Sequence, residues 1–125
     1  MRYSLLLNYS EAAGAEVPDE QLTAAKIAFH EYAASLDKAG VLRSADVLQS
    51  VSAATTVTLR HGALQVQDGP FADTKEQLGG VFLIDVPDLD AALAWAEKCP
   101  AAQWGTIEIR PTAVHFTDGQ WRGEL

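Results

Sequence analysis

The stretch VFLIDVPDLDAALAWAEKCP, residues 81–100, contains two elements and the joints between them. An extended chain over 81–86 puts Phe82, Ile84 and Val86 on one side and Val81 and Leu83 on the other. Apolar residues on both sides read as a strand covered on both faces. Pro87 ends it, because proline has no N–H for the ladder. Asp88 then suits the N-cap of a helix reaching Cys99, with an apolar stripe of Leu89, Ala92, Leu93 and Ala96, and Pro100 stops it.

Similar units lie on either side. RYSLLLNY, residues 2–9, alternates as a strand with Tyr3, Leu5, Leu7 and Tyr9 on one face and Ser4, Leu6 and Asn8 on the other. After a loop ending at Pro18, Asp19 is placed to cap a helix running to about Ala39 and closed by Gly40. Its stripe is Leu22, Ala25, Phe29, Tyr32, Ala33 and Leu36. VLRSADVLQ (41–49) reads as a second strand and SVSAA as a connector. TTVTLR and ALQVQD, joined by His61-Gly62, read as a β-hairpin. TIEIRPTAV (106–114) is the last strand, with Ile107 and Ile109 on one face and Glu108 and Arg110 on the other. The tail HFTDGQWRGEL (115–125) shows no clear period.

Two helices on one face of a mostly antiparallel sheet give an α+β layer, and the β-α-β-β-α-β order with an inserted hairpin is ferredoxin-like. Residues 1–125 read as a single domain. Such a sheet leaves one face without helices, so the second apolar face of residues 81–86 calls for another cover. A second copy in a two-fold homodimer supplies it most simply.

Composition narrows the function. The chain has 125 residues, 48% of them apolar, which suffices for a packed core. A net charge of −8 and a pI near 4.6 disfavour nucleic-acid and membrane-surface partners. No segment approaches the roughly 18 apolar residues of a membrane span. The N-terminal run is short for a signal peptide, and the expected location is cytoplasmic. One cysteine, Cys99, leaves no internal disulfide and no multi-cysteine zinc site.

The densest chemistry lies in VQDGPFADTKEQLGG, residues 66–80. Strand parity puts Leu64, Val66 and Asp68 on one face, so Asp68 is expected to point toward apolar surroundings at a strand's end. Gly69 and Pro70 make a turn and Phe71 is an apolar anchor. Asp73, Thr74, Lys75 and Glu76 supply three charges and a hydroxyl, and Gly79-Gly80 lets the chain rejoin the sheet closely. An ordinary polar turn, with Asp68 capping backbone amides, would use the same residues.

Elsewhere, His30 sits on the flank of the first helix's stripe, roughly 120° from its centre at 100° per residue. A border histidine near carboxylates can move protons, and it can equally be a plain surface residue. His61 falls in a turn and His115 near the tail, with no motif around either. Arg110 suits either a clamp on an anionic ligand or a pairing with Glu108. No His-x-x-x-His, G-x-S-x-G, G-x-G-x-x-G or P-loop pattern is present, so no metal and no cofactor are expected.

The block DGPFADTKEQLGGVFLIDVPDLDAALAWAEKCP, followed by WGTIEIRPT, resembles the DGPF-type branch of the YCII-related proteins. RYSLLLNY and the ATTV/TLR stretch match as well, so the resemblance covers nearly the whole chain. Asp73 stands where glutamate is commoner. The resemblance implies a ferredoxin-like dimeric α+β barrel with a cleft beside the sheet for a small organic molecule. It also implies a His/Asp acid–base pair, matched by His30 and, less directly, by Asp68. Many members of this branch are encoded beside extracytoplasmic-function sigma factors.

Two functions follow. One is a cofactor-free acid/base enzyme of isomerase, lyase or dehalogenase type. In it His30 and Asp68 are catalytic, and Phe71, Thr74, Lys75, Glu76 and Arg110 bind the substrate. The other is a non-catalytic small-molecule-binding or regulatory module, with a sigma-factor link implied by the resemblance alone.

Overall fold

The computed structural model describes residues 1–123. In chain order the elements are β1 (Arg2–Tyr9), α1 (Glu11–Gly14), α2 (Asp19–Lys38), β2 (Leu42–Val47), β3 (Thr55–Arg60), β4 (Ala63–Asp68), β5 (Gln77–Asp85), α3 (Leu89–Glu97), β6 (Thr106–Pro111), β7 (Val114–Thr117) and β8 (Gln120–Gly123). Short 3-10 turns lie at Val51–Ala53 and Pro100–Gln103. The main sheet has the order β2-β5-β1-β6, and every neighbouring pair is antiparallel. The result is a mixed α+β fold.

Alternation in β1 and β5 decides which face is dry. Tyr3 lies opposite Ile84, and Leu5 opposite Phe82. These residues, with Leu7 and Val86, are buried against Tyr32 and Leu36 of α2 and Ala92 and Ala96 of α3. The Tyr32 and Phe82 rings lie 5.5 Å apart, and the Tyr32 hydroxyl donates to the Trp95 carbonyl at 2.9 Å. Cys99 is buried in the same core, and burial pushes its thiol pKa up.

Helix starts follow the sequence with one change, and α3 ends at Glu97 instead of reaching Cys99. Asp88 caps α3, its Oδ1 accepting from the Ala91 N–H at 2.9 Å. At α2 the N-cap residue is Pro18, and Asp19 and Glu20 fall in the first turn, where the helix dipole favours acids. The buried face of α3 also differs from its expected stripe. Ala92 and Ala96 are buried, whereas Leu89 and Leu93 are each 50% exposed. The two alanines let the helix axis approach the sheet and leave the leucines at its margins.

The β3–β4 hairpin forms as expected, with His61 and Gly62 at φ 51° and 75°, the left-handed pair a tight hairpin turn needs. It stands apart from the main sheet as its own two-stranded ribbon. Leu64, Val66 and Asp68 are therefore exposed, which corrects the expectation of an inward-facing Asp68. Val57 lies opposite Val66 and Leu59 opposite Leu64, so four apolar side chains share one uncovered face of the ribbon.

The tail differs more. The last main-sheet strand stops at Pro111, and Val114 opens a second hairpin, β7–β8, turning at Asp118-Gly119 (φ 54° and 75°). An Asp-Gly pair is a hairpin signal, but strands of four residues, VHFT and QWRG, are too short to show a period. Phe116 and Trp121 face each other at 5.3 Å, and Arg2 Nη1 donates to His115 Nδ1 at 2.7 Å. The tail's last residues, Glu124 and Leu125, lie outside the described residues.

On the sheet face away from the helices, Ser4 sits between Leu83 and Arg110 in register, and Leu6 between Val81 and Glu108. Leu6, Val81 and Leu83 are half-buried. Asp85 closes this face. It accepts a hydrogen bond from the Met1 ammonium at 3.0 Å, which holds its carboxyl below the usual aspartate range, and Arg43 adds a weaker attraction. Among the described residues no helix is long and apolar enough to cross a membrane.

Gly105, at the entry to β6, has no room for a side chain: an added Cβ would lie 2.3 Å from the Asn8 carbonyl oxygen. Backbone cannot step aside as a side chain can. Gly105→Ala is expected to destabilise the fold by about 1–3 kcal/mol. Gly14→Ala, with nothing within 4 Å of the new methyl, is expected to be neutral or stabilising by up to about 1 kcal/mol. Urea unfolding midpoints of the two variants check the contrast, and equal midpoints would contradict it.

Candidate functional site

Where β1 ends and β5 begins, the chain forms an open cleft of about 730 Å³. One wall comes from residues 48–54 and the other from residues 70–78, with Asn8 of β1 also lining it. The volume falls within the usual range for small-molecule sites.

The walls are built from local hydrogen bonds. Gly69, at φ 104°, adopts a backbone conformation that favours glycine. Its N–H donates to the Ala54 carbonyl at 2.7 Å, and its own carbonyl accepts from the Thr56 hydroxyl at 2.7 Å. The Asp-Gly of the DGPF stretch thus ties the two roots of the hairpin together and aims Pro70 and Phe71 along the cleft. The opposite wall is held by Glu11, whose carboxylate accepts from the Ser50 hydroxyl at 2.7 Å and from the Val51 N–H at 3.2 Å. Gln77 joins this wall to the loop. Its Oε1 accepts from the Glu11 N–H at 2.9 Å, and its amide donates to the Thr74 carbonyl. The Thr74 hydroxyl in turn donates to the Glu76 carbonyl.

A second, smaller cleft of about 580 Å³ shares Asn8, Thr74 and Glu76 with the first and adds Lys75, Thr106 and Glu108. The Thr106 hydroxyl donates to Glu76 Oε1 at 2.9 Å. Beside the clefts, Gly79 passes under Tyr9, where an added Cβ would fall 2.1 Å from the ring. This is the close approach expected of the Gly79-Gly80 pair. Tyr9 packs edge-on to Trp104 at 5.2 Å, and burial, with Glu11 nearby, raises its hydroxyl pKa.

The sequence-derived site residues divide. Phe71, Thr74 and Glu76 line the larger cleft, and Thr74, Lys75 and Glu76 the smaller. Phe71 is 93% exposed, so it presents its ring to the cleft instead of anchoring in the core. Arg110 lies on the helix-free sheet face, 3.6 Å from Glu108, and lines neither cleft. His30 is exposed on α2 and Asp68 is exposed at the end of β4. Among the described residues no hydrogen bond or ion pair joins His30 to Asp68, and neither lines the clefts. Among the described residues Glu76 is the larger cleft's one titratable side chain. No group of three or more His, Cys, Asp or Glu residues is arranged for a metal ion among the described residues. Sequence reading missed Asn8, Glu11, Ser50 and Gln77. Their contacts span as many as 66 positions, as between Glu11 and Gln77, and no local spacing encodes them.

An antiparallel α+β chain with a loop-walled cleft at one end of its sheet is the class these features define. The YCII-related domain family matches residues 1–114, and the chain belongs to that family. It is also similar to an uncharacterised protein of Rhizobium meliloti (strain 1021), with 45% identity over 73 residues. The match covers 55% of this chain and 59% of the relative's length.

Gln77→Ala removes both bonds that join the loop to the α1 wall. The expected outcome is a loss of about 1–2 kcal/mol in stability and faster hydrogen exchange at the Glu11 amide. An unchanged Glu11 exchange rate would mean that Gln77 does not hold the wall.

Proposed function

We propose that this YCII-related domain, read as a member of the DGPF-type branch, binds a small organic molecule in the cleft between residues 48–54 and 70–78. The observation that carries this reading is the loop's construction. Its Thr74 and Gln77 side chains bond to the protein itself and fix the walls, while Leu48, Phe71 and Leu78 stay 44%, 93% and 41% exposed along the opening. A loop serving only as a turn would fold such side chains inward.

The binding form of the proposal is favoured over the catalytic one because the larger cleft contains no histidine and His30 and Asp68 stand apart from it. Cofactor-free acid–base chemistry by these two residues would need another element, such as a second copy, to bring them to one ligand. The strand order, with α2 and α3 packed on one face, supports the ferredoxin-like arrangement. The homodimer belongs to the same reading. The half-buried Leu6, Val81 and Leu83 and the uncovered hairpin face are surfaces that a second copy would bury.

Amide-detected NMR titrations with phenols, lactones, keto acids and amines test the site. Shifts concentrated in residues 50–54 and 71–78 are expected, with binding unchanged in His30→Ala and Asp68→Asn. A panel that moves no amide in either segment would remove the proposal. Turnover of a bound compound that is lost in both variants would restore the enzyme reading. Light scattering at micromolar concentration is expected to give a dimer, and a monomer would overturn that part.

A further inference from the structure

Resting on the cleft reading above, we infer that the molecule bound there is a small organic ammonium with an apolar body, and that Glu76 receives its charge. The inference comes from which hydrogen-bonding groups the walls leave free.

Most of the side-chain donors around the clefts are already committed. The Ser50 hydroxyl donates to Glu11, the Thr74 hydroxyl to the Glu76 carbonyl, the Gln77 amide to the Thr74 carbonyl and the Thr106 hydroxyl to Glu76 Oε1. Asn8 gives one N–H to the Leu6 carbonyl. In the larger cleft the side-chain donors left over, on the Asn8 and Gln49 amides, are neutral. Among the described residues no lysine, arginine or histidine lines it. Lys75 lines the smaller one, together with the two carboxylates of Glu76 and Glu108. Arg110 lines neither cleft and pairs with Glu108 at the edge of the smaller one.

Acceptors are in the opposite state. Glu76 lines both clefts and has only Oε1 engaged among the described residues, leaving Oε2 for a ligand. The side-chain Oδ1 of Asn8 is a second acceptor with no partner among the described residues, on the shared border. A carboxylate or phosphate ligand would meet Glu76 with no cation in the larger cleft to offset the repulsion. An ammonium would instead gain a charge-assisted hydrogen bond. The rest of the lining suits an apolar body: Leu48, Val51, Ala54, Pro70 and Leu78 supply aliphatic surface. The exposed Phe71 ring offers a face that a cation can approach. The preference therefore runs against the anion clamp that Arg110 suggested in the sequence.

The test uses three molecules of similar shape and different charge: 2-phenylethylamine, 2-phenylethanol and 3-phenylpropionate. Each is titrated into the full chain and followed by amide shifts in residues 50–54 and 71–78. The amine is expected to bind at least about tenfold more tightly than the carboxylate, with the alcohol between. Glu76→Gln is expected to weaken the amine about tenfold and to leave the alcohol within about twofold. Asp19→Asn, the same charge change outside both clefts, controls for the chain's overall −8 charge and is expected to alter neither. Carboxylate binding in this cleft as tight as the amine's, or an amine preference that survives Glu76→Gln, would overturn the inference and leave the binding site standing. Absence of shifts in both segments with all three molecules would count against the site itself.

Discussion

Antiparallel pairing of β1 with β5 is the constraint on which the rest of the structure depends. Its register sets Tyr3, Leu5 and Leu7 beside Ile84, Phe82 and Gly80, so the buried residues of both strands share one face. A one-residue slip would turn that set away from α2 and α3 and leave their buried side chains without partners. The same pairing brings Asn8 and Tyr9 to the start of β5, where the register shifts after Leu7 and the pairing ends at Tyr9 and Gln77. The cleft opens at that end, so the geometry of the site follows from the geometry of the core.

The walls are less regular because they answer to a different requirement. Residues 48–54 and 70–78 flank the β3–β4 hairpin, which is closed at its root by the Gly69 N–H and the Thr56 hydroxyl. That closure keeps the two segments together while the hairpin itself stands off the sheet. An isolated two-stranded ribbon is only marginally stable in water. The four apolar residues on one of its faces therefore put the hairpin, and the cleft walls next to it, among the parts of the chain most sensitive to whatever covers them.

Charge at the site reflects how the loop is stitched. Hydroxyl and amide donors hold the walls in place by bonding to backbone carbonyls and to the Glu11 and Glu76 carboxylates. Using donors as internal struts leaves acceptors facing the opening. A loop rich in both acid and base in one dimension thus becomes an acceptor-bearing surface in three. Lys75 lines the smaller cleft along with Glu76 and Glu108, and Arg110 is drawn to Glu108.

The sequence by itself determined the elements whose signals are local. Alternation marked β1 and β5, helical spacing marked the buried Tyr32 and Leu36, and the Asp88 cap marked the start of α3. Turn chemistry marked the His61-Gly62 hairpin, and the DGPF-type block marked the loop beside the cleft. Signals that were local but weak were lost: the Asp118-Gly119 hairpin is too short to show a period, and of the α3 stripe Leu89, Ala92, Leu93 and Ala96 the alanines are buried while the leucines stay half exposed. Tertiary structure alone decided what depends on distant partners. It left Asp68 and His30 in solvent, because among the described residues no element lies over β4 or the outer side of α2. It also joined Glu11 to Ser50 and Gln77 across 39 and 66 positions. Strand parity and helix spacing report which way a side chain points relative to its own element. Whether another element waits there is settled only when the sheet has formed and the loops have closed on it.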